Sequence, residues 1–290
     1  MTKFGVVAMI GRPNAGKSTL LNHLMKQKIS IVSDKPQTTR NQIFGILTES
    51  DIQIVFVDLP GFHKPLFEMN KAMMQNLYDS LDSCDLILYM LDASIALGRG
   101  ETYLLEQLKP RCKDVVVALN KIDSIKKSRV LPFMERFAKE GFEAVVPISA
   151  LTGTNVDQLM DIIRDRLPEG EFQYSEEDYT NISERFYVSE IIREKILQET
   201  RQEIPYCTFV DVRVLKDEET HVEIMADIAV ERKSQKPILV GHQANMVKKI
   251  RKMAEKELKA YFEKPVDLEL FVVVKENWRQ KPRFMDRFKQ

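Results

Sequence analysis

The chain has 290 residues, of which 44% are hydrophobic, and its 43 basic and 43 acidic side chains leave no net charge. This composition is typical of a globular protein, and no apolar run reaches the roughly 20 residues of a membrane-spanning helix. Three cysteines without a Cys-x-x-Cys pair argue against a disulfide framework and a cysteine-based zinc site, and favour a reducing, cytoplasmic setting.

Short apolar runs alternate with amphipathic stretches over about the first 165 residues. The apolar runs predict strands at Val6–Ile10, Ile43–Leu47, Ile52–Val57, Leu86–Leu91, Val115–Leu119 and Ala144–Ile148. The amphipathic stretches predict helices at Ser18–Met25, Met69–Leu81, Glu101–Leu108, Val130–Ala138 and Val156–Leu167. Continuous apolar strands that alternate with helices are typical of a mostly parallel, doubly wound α/β sheet.

The pattern changes after residue 167. Residues 168–184 hold six acidic side chains and neither Lys nor Arg, which predicts a linker or solvated loop. The elements predicted beyond it, in an α+β order, are a helix at Phe186–Gln202, a hairpin of strands at Thr208–Leu215 and Val222–Val230, a helix at Asn245–Phe262 and a strand at Val266–Val274. We therefore predict a first domain over residues 1–170, an acidic linker over 171–184 and a second domain over 185–290.

Charge is unevenly distributed between these parts. Residues 236–290 contain 14 Lys and Arg against 7 Asp and Glu, so the first 235 residues carry a matching acidic excess. A basic carboxyl-terminal part indicates that this end of the chain meets an anionic partner.

A phosphate-binding loop is predicted at residues 11–18, which read GRPNAGKS and fit G-x-x-x-x-G-K-[ST] between a predicted strand and a predicted helix. Glycines let the backbone bend so that N–H groups and a helix N-terminus surround the anion. Lys17 is expected to reach the β- and γ-phosphates, and Ser18 to place its hydroxyl on Mg²⁺. A chance match in a turn is the alternative. The predicted binding residues are Gly11, Arg12, Pro13, Asn14, Ala15, Gly16, Lys17, Ser18 and Thr19.

A second motif, DLPG, follows the predicted strand Ile52–Val57. Asp58 is expected to hold Mg²⁺ through water, and the backbone N–H of Gly61 to meet the γ-phosphate. Alone, this stretch would more simply be a turn. In combination with the phosphate loop it favours a nucleotide site that also includes Leu59 and Pro60.

A third motif, NKID, follows the predicted strand Val115–Leu119. An ionised Asp123 can accept hydrogen bonds from the ring N–H and amine of guanine, whereas adenine presents an acceptor there. Asn120 is expected to tie this loop to the phosphate loop, and Lys121 to cover the base. The backbone of Ser149, Ala150 and Leu151, after the next strand, could meet the guanine oxygen, although an ordinary turn is an equal alternative.

These motifs, together with QTTR at residues 37–40, resemble in order and spacing the translation-factor-related small GTPases, and the GRPN and QTTR forms resemble the Era branch of that group. The resemblance implies a P-loop GTPase that binds GTP or GDP with Mg²⁺. It also implies that Thr39 binds Mg²⁺ in the GTP state, so that Ser18, Thr39 and Asp58 form the metal site. The segment around Ser33–Asn41 would then be the switch.

The residue that would activate water is missing from these motifs. Ras-like enzymes place a Gln after the D-x-x-G motif, whereas this chain has Phe62, followed by His63. We therefore expect slow intrinsic hydrolysis supported by Lys17, Thr39, Gly61 and Asn14. The resemblance implies that Asn14 could ligate a potassium ion. Arg12 and Arg40 are candidate sources of positive charge, although solvated positions are the simpler expectation for both.

The second domain resembles a type II KH domain over about residues 185–275. The expected RNA-binding turn is Gly241, His242, Gln243 and Ala244, where Ala244 replaces the second glycine of a G-x-x-G loop. Basic residues that could meet phosphates flank this turn: Lys236, Lys248, Lys249, Arg251 and Lys252. In the basic tail, Trp278 could stack on a base or pack on the domain.

A GTPase followed by a KH domain extends the Era resemblance over nearly the whole chain. It implies a cytoplasmic monomer that binds the 3′ end of 16S-type small-subunit rRNA, assists assembly of the small ribosomal subunit, and can associate peripherally with the inner face of the membrane. The alternative is an RNA-binding assembly chaperone in which GTP hydrolysis is incidental. A tRNA-modifying or double-GTPase relative is disfavoured because only one phosphate loop is present.

Overall fold

The computed structural model describes residues 1–62, 68–201 and 203–281. The first domain is built on a six-stranded sheet in the order β2-β3-β1-β4-β5-β6, in which only β2 is antiparallel to its neighbour. Its strands are β1 (Lys3–Ile10), β2 (Ile43–Thr48), β3 (Ile52–Asp58), β4 (Leu86–Asp92), β5 (Val115–Asn120) and β6 (Ala144–Pro147). The predicted doubly wound, mostly parallel sheet is confirmed.

Helices cover both faces of this sheet. They are α1 (Lys17–Met25), α2 (Glu68–Ser83), α3 (Arg99–Leu108), α4 (Val130–Lys139) and α5 (Val156–Arg166). The apolar sides of α2, α3 and α4 pack on one face of the sheet, and those of α1 and α5 on the other. Because the strand order reverses at β1, the crevice at its carboxyl end is where a ligand is expected to bind.

The acidic segment after α5 is held against the edge of this sheet rather than solvated along its whole length. The backbone N–H groups of Gln173 and Tyr174 donate to the side-chain oxygen of Gln53. Further along, the carbonyl of Tyr179 accepts from Ile46 in the edge strand β2. The segment therefore protects part of an otherwise open strand edge, and its acidic composition carries no signal for this pairing.

The second domain has a three-stranded sheet in the order β7-β8-β9, with β7 (Phe209–Asp217) antiparallel and β9 (Val266–Val274) parallel to β8 (Val222–Val230). The predicted hairpin is thus confirmed. The helices are α6 (Glu184–Glu199), α7 (Ile204–Cys207), α8 (Lys236–Val240) and α9 (Asn245–Phe262). The four- and five-residue helices α7 and α8 are too short to show a helical period. In the described ranges, no helix is both long and apolar enough to cross a membrane.

The two domains share their apolar cores. Ile31 of the first domain packs among the buried side chains of α6, α9 and the three-stranded sheet. In the opposite direction, Phe209 and Trp278 of the second domain join the core that includes α2. The segment between α1 and β2 therefore lies against the second domain.

Candidate nucleotide and RNA sites

The phosphate loop places glycine where a side chain could not fit. Gly16 has φ of 98°, and a Cβ atom there would lie 2.2 Å from the side-chain nitrogen of Asn120. A Cβ atom on Gly11, with φ of 155°, would lie 2.3 Å from the carbonyl oxygen of Met90. The backbone can therefore bend closely around an anion at this point.

Lys17 lies inside the loop. Its side chain is buried, and its Nζ donates to the carbonyl oxygens of Gly11 at 3.4 Å and Arg12 at 3.3 Å. Burial lowers the pKa of Lys17, whereas the nearby carboxylate of Asp58 opposes that shift. The ammonium group is thus positioned within the concave loop, where a phosphate would neutralise it.

Three predicted metal-site residues from different parts of the chain meet in one corner. The Ser18 hydroxyl donates to Oδ2 of Asp58 at 2.6 Å, and lies 3.0 Å from the Thr39 hydroxyl. The other carboxylate oxygen of Asp58 is buried and has no hydrogen-bond partner among the described residues. Burial raises the pKa of Asp58, while Lys17 and three neighbouring hydroxyls lower it.

This corner fits a magnesium ion. Mg²⁺ prefers oxygen ligands and takes few from the protein, with the rest from water and phosphate. Two hydroxyls and a carboxylate with a free oxygen supply that donor set. Across residues 1–62, 68–201 and 203–281 no cluster of three or more His, Cys, Asp or Glu side chains offers a competing all-protein site.

The loops that are predicted to contact the base are joined through Asn120. Its side-chain nitrogen donates to the carbonyl of Ala15 at 2.7 Å, and its oxygen accepts from the N–H of Ala150 at 2.9 Å. Lys121 pairs with Asp92 at 2.7 Å, while Asp123 is exposed at the mouth of the site. The structure thus brings the NKID motif and residues 149–151 to the edge of the phosphate loop.

A cavity of about 260 Å³ lies in front of the phosphate loop. It is lined by residues of that loop, by residues 31–34 and 37–39, and by Gly61 and Lys121. A Cβ atom on Gly61 would lie 2.6 Å from the backbone nitrogen of Pro13, so the DLPG turn passes close to the loop. Asn14 also contacts the opposite wall, because its side-chain nitrogen donates to the carbonyl of Asp34.

The side chain of Phe62 does not replace the missing glutamine. Its ring stacks on Tyr103 with ring centroids 5.5 Å apart, on the side of α3. His63 lies outside the described residues. Of the two candidate arginines, Arg12 pairs with Glu101 at 3.0 Å. The expectation of a solvated Arg40 is wrong, because this side chain is only 3% exposed and inserts into the second domain.

The predicted RNA-binding turn has positive φ angles at both Gly241 and Ala244. Gly241 has φ of 71°, and a Cβ atom there would lie 2.8 Å from that of Met246. Ala244 takes up the left-handed conformation, with φ of 60° and ψ of 23°, at the start of α9. That conformation costs a non-glycine residue roughly 1–2 kcal/mol. The alanine therefore adopts a backbone conformation that glycine would adopt at lower cost.

The basic residues near this turn differ in exposure and in whether they pair with a carboxylate. Lys236 and Lys252 are exposed, and Lys248 is exposed while its ammonium donates to the carbonyl of Gln243 at 3.3 Å. Lys249 pairs with Glu199 at 2.6 Å and Arg251 with Glu255 at 3.4 Å. Trp278 packs instead of stacking on a base, because it is fully buried. The tail beyond residue 281 lies outside the described residues.

Several contacts between the two domains have no signal in the sequence. The backbone N–H of Val32 donates to the carboxylate of Glu194 in α6. The Lys35 ammonium donates to the carbonyls of Leu197 and Thr200, and the Arg193 guanidinium donates to the carbonyl of Thr38. Lys28 adds ion pairs to Glu194 at 2.6 Å and Glu257 at 2.5 Å. These contacts join residues more than 150 positions apart, which no local motif describes.

Comparison with known proteins matches both domains to family models. Residues 6–121 match a model described as a 50S ribosome-binding GTPase, and residues 203–279 match a KH domain. A solved structure of Era in complex with MgGDPNP and nucleotides 1506–1542 of 16S ribosomal RNA is 36% identical, with a TM-score of 0.95 and 99% of each chain covered.

A second solved structure, a point variant of Aquifex aeolicus Era bound to GDP·AlF4⁻, is 37% identical, with a TM-score of 0.94 and 99% of each chain covered. Identity at this level over the whole chain establishes more than a shared fold. The chain therefore belongs to the Era family, GTPases that carry a carboxyl-terminal KH domain.

Proposed function

We propose that this chain is a Mg²⁺-dependent GTPase switch that binds single-stranded RNA at the 3′ end of 16S-type rRNA and assists assembly of the small ribosomal subunit. The relative crystallised with MgGDPNP and 16S rRNA nucleotides supports the choice of ligands. The observation that favours a switch is the position of residues 31–40. Thr39 touches the metal corner, and other residues of this segment contact the KH domain: Ile31, Val32, Lys35, Thr38 and Arg40.

In this proposal the first domain, residues 1–170, holds the nucleotide. The backbone of the phosphate loop and Lys17 bind the phosphates, and Asp123 selects guanine. Ser18 and Thr39 would hold Mg²⁺ directly and Asp58 through water. Mg²⁺ held by these residues would supply positive charge that stabilises the negative charge of phosphoryl transfer.

Hydrolysis is proposed to be slow without help. Phe62 packs on Tyr103 and offers no hydrogen bond to water, so positioning and charge must come from other groups. Asn14 lies between the phosphate loop and residue 34, a position from which its side-chain oxygen could ligate potassium. Potassium stimulation is therefore part of the proposal.

The second domain, residues 185–290, is proposed to bind RNA at the turn 241–244. The helix α9 begins at this turn, so its N-terminal N–H groups face the ligand. The exposed lysines at positions 236, 248 and 252 supply sequence-independent contacts to phosphate. We further propose a cytoplasmic monomer; its peripheral membrane association is supported by the family resemblance alone.

The experiment that separates a switch from an RNA chaperone compares RNA affinity in two nucleotide states. An oligonucleotide with the sequence of the 16S rRNA 3′ end is titrated with full-length protein at fixed salt, with Mg²⁺ and either GDP or GDPNP. A switch requires different affinities, because a ligand shifts an equilibrium only through differential binding. Equal affinities would favour the chaperone, in which hydrolysis is incidental.

A further inference from the structure

The segment 31–40 is bound by the second domain before it reaches the metal corner. Ile31 is 2% exposed and packs in the second domain's core. The N–H of Val32 donates to the carboxylate of Glu194 at 3.0 Å. The Lys35 ammonium donates to two backbone carbonyls at the end of α6, and the carbonyl of Thr38 accepts from Arg193 of α6. The conformation of this segment therefore depends on where the second domain lies.

Arg40, at the end of this segment, is also buried against the second domain. Its NH1 donates to the carbonyl of Thr208 at 2.7 Å and its NH2 to that of Pro205 at 2.9 Å. Its Cζ lies 6.0 Å from the ring centre of Trp278. Burial, aided by Arg193, lowers the pKa of Arg40 to about 9. Burying a cation against carbonyl groups costs free energy unless those contacts are kept. These contacts therefore favour the arrangement in which Arg40 stays bound to the second domain.

Thr39, the residue before Arg40, faces the other way. Its hydroxyl lies 3.0 Å from Oγ of Ser18 and donates to Oδ2 of Asp58 at 3.5 Å. Two consecutive residues thus bind two different sites, one the metal corner and the other the second domain. A displacement of the guanidinium from its pocket would move the neighbouring hydroxyl as well.

We propose that Arg40 is the positioning residue through which the second domain holds Thr39 at the metal corner. This inference rests on the proposed function, because it concerns how that GTP site is regulated. Thr39 contributes to binding only when the γ-phosphate and Mg²⁺ are present. By linkage, docking of Arg40 in the second domain and binding of GTP strengthen each other by the same factor. GDP lacks the γ-phosphate that engages Thr39, so its binding is insensitive to the docking of Arg40.

Trp278 lies beside Arg40, where the two domains meet, and provides a fluorescent probe of this contact. It is the only tryptophan of the chain. Its indole N–H donates to the carbonyl of Cys207 at 2.9 Å, and its ring contacts Phe209 with centroids 4.8 Å apart. The turn that carries it also packs on α2, which follows the DLPG motif. Its fluorescence should therefore respond when the arrangement around Arg40 changes.

The test uses full-length protein and two substitutions. Arg40→Met keeps much of the side-chain volume but removes the hydrogen-bond donors, and Arg40→Lys keeps the charge but loses the fork that reaches two carbonyls. The matched control is Arg129→Ala, which removes an exposed arginine of the first domain. Affinities for GDP and GDPNP are measured with Mg²⁺, and Trp278 fluorescence is recorded in both states.

We expect Arg40→Met to bind GDPNP at least tenfold more weakly, which corresponds to about 1.4 kcal/mol, while its GDP affinity stays within twofold of the wild type. The GDP-to-GDPNP change in Trp278 fluorescence should disappear in this variant. Arg40→Lys should retain part of both effects, and Arg129→Ala should match the wild type. If Arg40→Met does not fold, Arg40→Lys serves as the test, and we expect it to lose part of the GDPNP affinity and part of the fluorescence change.

The inference is refuted if Arg40→Met, or the folded Arg40→Lys alone, keeps the wild-type ratio of GDPNP to GDP affinity and the wild-type fluorescence change. The proposed function fails separately, through the wild type. Wild-type protein that binds no guanine nucleotide, or binds RNA equally in both nucleotide states, would contradict the switch itself and this inference with it.

Discussion

Asn120 donates a hydrogen bond of 2.7 Å to the backbone carbonyl of Ala15, and so ties the loop after β5 to the phosphate loop. The side chain is 2% exposed, and its oxygen accepts from Ala150. One amide therefore holds three loops in the arrangement that a purine nucleotide would need. Two buried backbone groups depend on it.

Replacing this amide should weaken both the fold and the site. In Asn120→Ala, the carbonyl of Ala15 and the N–H of Ala150 lose their partner, and each unsatisfied buried group costs about 1–3 kcal/mol. We expect a lower midpoint of thermal unfolding and weaker GDP binding, measured by calorimetry. The control Asn245→Ala removes an exposed amide of the second domain and should change neither quantity.

Asp123→Asn should change which base is preferred. In the proposed site the carboxylate would accept two hydrogen bonds from guanine, whereas an amide presents a donor that suits the extra carbonyl of xanthine. Competition binding should show GDP losing and xanthosine diphosphate gaining affinity. The control Asp157→Asn changes an exposed carboxylate at the start of α5. An unchanged preference for guanine in Asp123→Asn would place the base elsewhere.

Potassium should accelerate GTP hydrolysis, because a cation held by Asn14 would add positive charge that the stacked ring of Phe62 cannot provide. Initial rates are compared in potassium and sodium chloride at equal ionic strength. The wild type should be faster in potassium, and Asn14→Ala should lose that difference. Equal wild-type rates in the two salts would exclude a potassium site.

Lys248 and Lys252 should contribute electrostatically to RNA binding. Removing two phosphate contacts lowers affinity and flattens the dependence of log K on log salt by roughly 0.7 per contact on single strands. The double variant Lys248→Ala/Lys252→Ala is compared with Lys126→Ala/Lys127→Ala, which removes the same charge from an exposed stretch of the first domain. A salt slope equal to that of the control would move the RNA surface away from α9.

Much of the fold was accessible from the sequence because its signals are local. Continuous apolar runs predicted every strand of the first sheet to within three residues at each end. The motifs are predicted to lie close together, because each follows a strand and the carboxyl ends of parallel strands meet at one edge of the sheet. The helix α6 was predicted to end at Gln202 but ends at Glu199, where Thr200 turns extended.

Contacts between domains could not be predicted in this way. The burial of Arg40 depends on carbonyl groups at positions 205 and 208, which have no side-chain identity to detect. Likewise, the sequence leaves open whether Trp278 stacks on a base or packs on the domain, because its contacts with Phe209 and Cys207 join residues about 70 positions apart. Long-range contacts through backbone groups leave no pattern in composition or periodicity.

Nucleotide selectivity is the decisive measurement for the proposed GTP site at the phosphate loop. Full-length protein, freed of bound nucleotide, is titrated with GDPNP and with the corresponding adenosine imidotriphosphate in the presence of Mg²⁺, alongside Lys17→Ala. We expect clear preference for the guanine nucleotide, dependence on Mg²⁺, and loss of binding in Lys17→Ala. Equal affinity for the two purines, or undiminished binding without the Lys17 ammonium, would rule out a GTP site at this loop.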